Sequence, residues 1–210
     1  MSNQQAAAQP PSAEQPSSWN LPNILTSIRI LLVPVFVWFL LLDAEDRGPW
    51  RWWAFVVFAV AMYTDKLDGD IARARGLITN FGKIADPIAD KLLTGAALIM
   101  LSITNDLWWW VTIVILVREW GITMMRFFML NRAVMPANKG GKIKTVTQTA
   151  GLLILLMPIT HGIPWLWWLG TIIMLIAMAI TVVTGIDYVR QAIALSKTPE
   201  NPQPRNSVQD

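Results

Sequence analysis

The chain has 210 residues, 54% hydrophobic and only 15% charged, with 12 tryptophans, one histidine, no cysteine and a net charge of +3. The length suits one domain, and the apolar excess argues against an ordinary soluble one. The lack of cysteine excludes disulfides, thiolate metal sites and cysteine nucleophiles. The lone His161, in the stretch Ile-Thr-His-Gly-Ile-Pro, reads as a solvated loop residue, which leaves catalysis to carboxylate, lysine or metal.

In chain order, residues 1–18 are rich in Gln, Ala, Pro and Ser and read as a disordered tail. They lack the basic region and apolar core of a secretory signal. Six apolar segments follow, at 23–42, 50–75, 86–105, 107–130, 145–161 and 164–190. Each approaches the roughly 20 helical residues needed to cross about 30 Å of hydrocarbon. The expectation is an all-α integral membrane protein with six transmembrane helices in one domain, 19–196. A second polar tail, 197–210, also reads as disordered. Trp19, Trp50, Trp52, Trp53, Trp108 to Trp110, Trp165, Trp167 and Trp168 fall at proposed segment ends, as in an aromatic belt.

The end of the second segment and the start of the third carry the unusual chemistry. Asp65, Asp68, Gly69, Ala72 and Arg73 stand at i, i+3, i+4, i+7 and i+8, so on a helix they share one face. Asp86 and Asp90 share a face of the next helix, which the Asp86-Pro87 step is expected to open, since proline suits a first turn. Asn80, Gly82 and Lys83 are expected to form the connection. Four clustered carboxylates repel one another, and near a membrane each is costly. Divalent cations with oxygen ligands, Mg²⁺ or Mn²⁺, keep them ionised. Asp70 lies off the common face and reads as a solvated charge.

Basic residues set the orientation. Lys66, Arg73, Arg75, Lys83 and Lys91 flank the second connection, Arg118, Arg126, Arg132, Lys139, Lys142 and Lys144 the fourth, and Arg190, Lys197 and Arg205 follow the last segment. The other side holds Arg47 and Arg51 beside Asp43, Glu45, Asp46 and Asp106. Lysine and arginine accumulate on the cytoplasmic side, so both termini and the aspartates are expected there.

The string Asp65-x2-Asp68-Gly69-x2-Ala72-Arg73-x8-Gly82-x3-Asp86-x3-Asp90 resembles the complete signature of the CDP-alcohol phosphatidyltransferases, without departure at any fixed position. Three further stretches are similar to those of the phosphatidylglycerophosphate synthase branch of that family: Asn20 to Arg29, Arg118-Glu119-x3-Thr123-x2-Arg126, and Gly141-Lys142-x-Lys144-Thr145-x2-Gln148. The resemblance implies a six-helix membrane enzyme, often a homodimer, that uses divalent metal. It implies transfer of a phosphatidyl group from CDP-diacylglycerol to an acceptor alcohol with release of CMP. The branch implies glycerol 3-phosphate as acceptor; cardiolipin, phosphatidylinositol phosphate and phosphatidylserine synthases are the alternatives within the family. A small cation transporter is the alternative outside it, disfavoured because the acids sit at one surface and in one half of the chain.

Roles follow from residue type. Asp65, Asp68, Asp86 and Asp90 are candidate ligands for a metal centre of two ions, and the resemblance adds Asp90 as the base for the acceptor hydroxyl. Asn23, Asp68, Gly69, Ala72, Arg73 and Gly82 are the candidate CDP-donor contacts. Gly69 and Ala72 let a nucleotide approach the backbone, and Arg73 offers paired donors to a phosphate. Arg118, Arg126, Lys142 and Lys144 are either a pocket for the acceptor's phosphate or anchors to anionic headgroups. Glu119 is a candidate to orient one of the two arginines.

Overall fold

A computed structural model describes residues 20–43, 48–75, 80–129 and 139–197. The two tails read as disordered lie outside them, apart from the helical residue Lys197. The described residues form six helices and no strand: α1 (Leu21–Asp43), α2 (Pro49–Arg75), α3 (Asn80–Ile103), α4 (Trp109–Met129), α5 (Lys139–Leu156) and α6 (Pro164–Lys197), with a short 3₁₀ turn, Pro158–Gly162, before α6. Successive helices run in opposite directions. The starts of α2 and α6 therefore meet the ends of α1, α3 and α5 at one pole, and the acid-bearing segments gather at the other.

α1 packs against both α2 and α3, whereas among the described residues α2 and α3 make little direct contact with each other; α6 packs against α5 and α4. Phe36, Leu40, Phe58, Leu93, Leu101, Ile115, Leu152, Leu155 and Met174 form a continuous buried core through the middle. The outward faces are apolar too, with Leu31 69% and Val146 70% exposed. Buried Thr26, Ser102, Thr112, Thr171 and Thr181 lie inside. This inside-out polarity belongs to a bundle with an oily surround.

Two helices, over Asn23–Asp43 and Pro164–Arg190, are long and apolar enough to cross a membrane. The expectation of six such helices goes further than the described residues carry. Charges interrupt the apolar stretch in α2 (Asp65 to Arg75), in α3 (Lys83 to Lys91) and in α4 (Arg118, Glu119, Arg126), and α5 has only 18 residues.

The expected start of the third segment is corrected. α3 begins at Asn80, so Asn80, Gly82 and Lys83 are helical and Pro87 lies inside the helix. Proline there deprives the carbonyl four residues back of its partner. That carbonyl belongs to residue 83 in the first turn of α3, where the loss costs a single bond near a helix end.

The pole opposite the acids is a closed polar knot. α3 ends in a Schellman turn: Asn105 is left-handed (φ 60°), Asp106 N–H donates to Leu101 O at 2.8 Å and Asn105 N–H to Ser102 O at 3.3 Å. The turn delivers Asp106 to Arg51, whose guanidinium lies 2.5 Å from the carboxylate and also donates to the carbonyls of Leu155 (3.1 Å) and Leu156 (3.3 Å) at the end of α5. Thr104 donates to the same carboxylate, and the indole of Trp167 to the Asp106 carbonyl at 3.0 Å. Asp43 caps α2 by accepting from the amides of Gly48 and Arg51. His161, expected in solvent, is largely covered, its Nε2 3.2 Å from Asp106. Nor are Arg51 and Asp106 surface charges; both are essentially buried. Trp50, Trp52, Trp53, Trp108 to Trp110, Trp165 and Trp168 surround this pole and are exposed.

Candidate active site

The other pole is assembled from helix ends. Asn20 opens α1 by accepting from Asn23 N–H through its side-chain oxygen at 3.1 Å. This fixes the register of a first turn that buries Asn23, Thr26 and Arg29. Thr26 and Arg29 stand at i and i+3 and reach different helices. The Thr26 hydroxyl donates to Asp86 Oδ1 of α3 at 2.5 Å. The Arg29 guanidinium lies 2.6 Å from Asp65 Oδ1 of α2, and its Nε donates to the Ala61 carbonyl at 3.3 Å.

α2 carries Asp65, Asp68, Gly69, Ala72 and Arg73 in its last turns, and α3 carries Gly82, Asp86 and Asp90 in its first. Gly82 is buried, Asp86 is exposed and Asp65 and Asp90 are half-buried. The side chains of Asp68, Ala72 and Arg73 lie outside the described residues. Asp90 feels the negative charge of Asp65 from α2 and of Glu119 from α4, opposed by Lys91 and Lys144.

The donor chemistry fits a hard divalent cation, since every candidate is a carboxylate oxygen. Asp65 and Asp86 are each engaged through Oδ1 by a side chain of α1. Among the described residues no three such groups converge into a complete metal set. Asp68, the remaining acid of the signature, has its side chain outside that description.

Beside Asp90 opens a cavity of about 210 Å³, walled by Asp90 and Lys91 of α3, Arg118, Glu119 and Thr123 of α4, Lys144 of α5 and Tyr188 of α6. Glu119 pairs with Lys144, Nζ to Oε1 at 2.5 Å, with both side chains mostly buried. Arg118 is held from another direction, donating to Thr184 Oγ1 of α6 at 2.8 Å. Gly185 makes this possible, because a Cβ there would stand 3.1 Å from Arg118 Cγ and Nε.

The structure thus brings Arg118 and Lys144 into one cavity with Asp90, while the side chains of Arg126 and Lys142 lie outside the described residues. Thr26 and Arg29 lay in the Asn20 to Arg29 stretch without an assigned role, Lys91 was counted only among the orienting basic residues, and Thr184 and Tyr188 were not singled out from the sequence. Thr26 and Arg29 did carry a signal, a polar pair at helical spacing inside an apolar run; Thr184 and Tyr188 carried none.

The family model for CDP-alcohol phosphatidyltransferases matches residues 19–183. The chain belongs to that family, whose members are membrane-associated enzymes generally dependent on divalent metal. Among its relatives is a protein of Mycobacterium tuberculosis named probable phosphatidylglycerophosphate synthase, 43% identical over 174 residues, 83% of this chain and 82% of that one. Proteins named CDP-diacylglycerol–glycerol-3-phosphate 3-phosphatidyltransferase are similar as well. That of Rickettsia typhi is 39% identical over 80% of this chain and 94% of its own length. That of Bacillus subtilis is 37% identical over 81% and 93%.

Proposed function

We propose that this chain transfers the phosphatidyl group of CDP-diacylglycerol to sn-glycerol 3-phosphate, giving phosphatidylglycerol phosphate and CMP. The observation that carries the reading is the cavity with Asp90 on one wall and Arg118 and Lys144 on others. An acceptor with a hydroxyl at one end and a phosphate at the other needs a proton acceptor and cations in one space. The names of the relatives support the same donor and acceptor.

The acceptor hydroxyl attacks the phosphorus that bears the diacylglycerol; a new P–O bond forms, the P–O bond to CMP breaks, and the hydroxyl proton passes to Asp90. Asp65, Asp68, Asp86 and Asp90 would hold the divalent metal, two ions in this reading, which supplies neutralisation of charge on the pyrophosphate. Asn23, Asp68, Gly69, Ala72, Arg73 and Gly82 form the donor side, with Arg73 offering paired N–H groups to a donor phosphate. Arg118 and Lys144, with Arg126 and Lys142, hold the acceptor's phosphate.

All six helices cross the membrane in this reading. The apolar outward faces support it, and so does the gathering of lysine and arginine at the pole of the acids, which sets that pole and both termini in the cytoplasm. The working unit is a homodimer, as is usual in the family.

The test is release of CMP by purified protein given CDP-diacylglycerol and a panel of acceptors. Glycerol 3-phosphate is expected to give the highest kcat/KM. Preference for phosphatidylglycerol would move the assignment to a cardiolipin synthase. Preference for an inositol phosphate or serine would move it to those branches.

A further inference from the structure

We infer that Thr26 and Arg29 of α1 are positioning residues for the metal ligands, a brace that sets the separation of the carboxylates of α2 and α3. This rests on the metal-dependent reading above. The two halves of the acidic signature lie on helices that make little direct contact among the described residues. A helix that reaches both can therefore set the distance between Asp65 and Asp86. α1 packs against both helices, and from one face it sends a hydroxyl to Asp86 and a guanidinium to Asp65. Both grips come from essentially buried side chains, so neither swings freely: Thr26 is 0% and Arg29 1% exposed.

Each grip takes one oxygen of its carboxylate and fixes the direction in which the other points. Partners behind metal ligands act in this way, and losing one typically weakens metal affinity by about 10- to 100-fold. Asn20 belongs to the same device, because its cap on Asn23 fixes the turn that aims Thr26. A structural role alone, gluing α1 to its neighbours, would show in stability and leave metal affinity untouched.

The two roles separate on metal binding by the full-length protein in detergent, read from the paramagnetic resonance signal of free Mn²⁺. Thr26→Val keeps shape and removes the hydroxyl; it is expected to weaken Mn²⁺ binding by about tenfold. Thr26→Ser restores the donor and is expected to return the affinity to within about threefold of the wild type. The activity of Thr26→Val should recover at high Mn²⁺, since the defect lies in occupancy of the site. The melting temperature of its metal-free form should stay close to that of the wild type. Wild-type Mn²⁺ affinity in Thr26→Val overturns the brace. Should that variant fail to accumulate, Arg29→Lys carries the test, with about tenfold weaker binding expected and unchanged binding overturning the inference. A wild-type protein that binds no Mn²⁺ and works in excess chelator overturns the metal reading itself, and is told apart by failing before any variant is made.

Discussion

At the pole where α2 begins, Arg51 and Asp106 face each other with the Leu155 and Leu156 carbonyls, Thr104 and His161 closing around them. At the opposite pole Asp65 and Asp90 are half-buried and Asp86 is exposed, Thr26 and Arg29 of α1 reach Asp86 and Asp65, and a cavity opens beside Asp90. The same side-chain chemistry serves both places. In the first, the protein supplies the partners of the central ion pair, so the pair holds helices together. In the second, α1 holds Asp65 and Asp86, and the cavity beside Asp90 is where a ligand can enter. Enclosure separates the two: Arg51 and Asp106 are essentially buried, whereas Asp90 borders open space.

Chelation should break the comparison hardest. Excess EDTA is expected to abolish CMP release, with Mg²⁺ or Mn²⁺ restoring it, and to leave thermal unfolding of the Arg51 pole unchanged; full activity in EDTA would remove the metal from the account. Next comes Arg51→Met, which strands a buried Asp106 carboxylate. Breaking such a pair costs about 3–5 kcal/mol, seen as a lower unfolding temperature in detergent while kcat of the folded fraction holds. A third variant, Asp68→Asn, should reverse that pattern: at least a hundredfold loss of kcat/KM, about 2.7 kcal/mol of barrier, at nearly unaltered stability.

A smaller effect is expected from Lys144→Ala. A charge-assisted bond to phosphate contributes about 1.5–3 kcal/mol, so KM for glycerol 3-phosphate should rise on the order of ten- to a hundredfold. KM for CDP-diacylglycerol should barely move, since loss of uniform binding shows only in the constant of the ligand concerned. If both constants stay put, the basic residues are membrane anchors. Asp70→Asn should do least of all, being exposed and off the signature's face; a large loss of activity there would redraw that face. Labelling sharpens the picture without changing any rate. A cysteine at residue 80 should react with an impermeant thiol reagent only in inside-out vesicles, and one at residue 45 in intact cells.

Local spacing made the acid-bearing pole readable: carboxylates at i and i+3 on one helix, and at i and i+4 on the next, stand out against apolar neighbours. Helix count was legible for the same reason, because charge and proline punctuate the apolar runs. Pro87 misled, since a proline beside Asp86 looks like a helix start; α3 absorbs it because only one carbonyl of its first turn is left over. Pairings remote in sequence were invisible. Arg51 and Asp106 are 55 residues apart, and Lys144 and Glu119 are 25 apart. His161 has no motif around it, and its place beside Asp106 depends on how α3, α5 and α6 end together. Tyr188 and Thr184 sit in an apolar helix whose sequence gives no reason to prefer one turn over another.

The last helix has a mechanical side. With 34 residues α6 is about 51 Å long at 1.5 Å per residue, against about 30 Å of hydrocarbon. Such a rod must lean, or stand proud of the bilayer by several turns. Thr184 and Tyr188 ride on its far end, where they hold Arg118 and wall the cavity. The length of α6 beyond the hydrocarbon therefore bears on where the cavity stands relative to the bilayer surface.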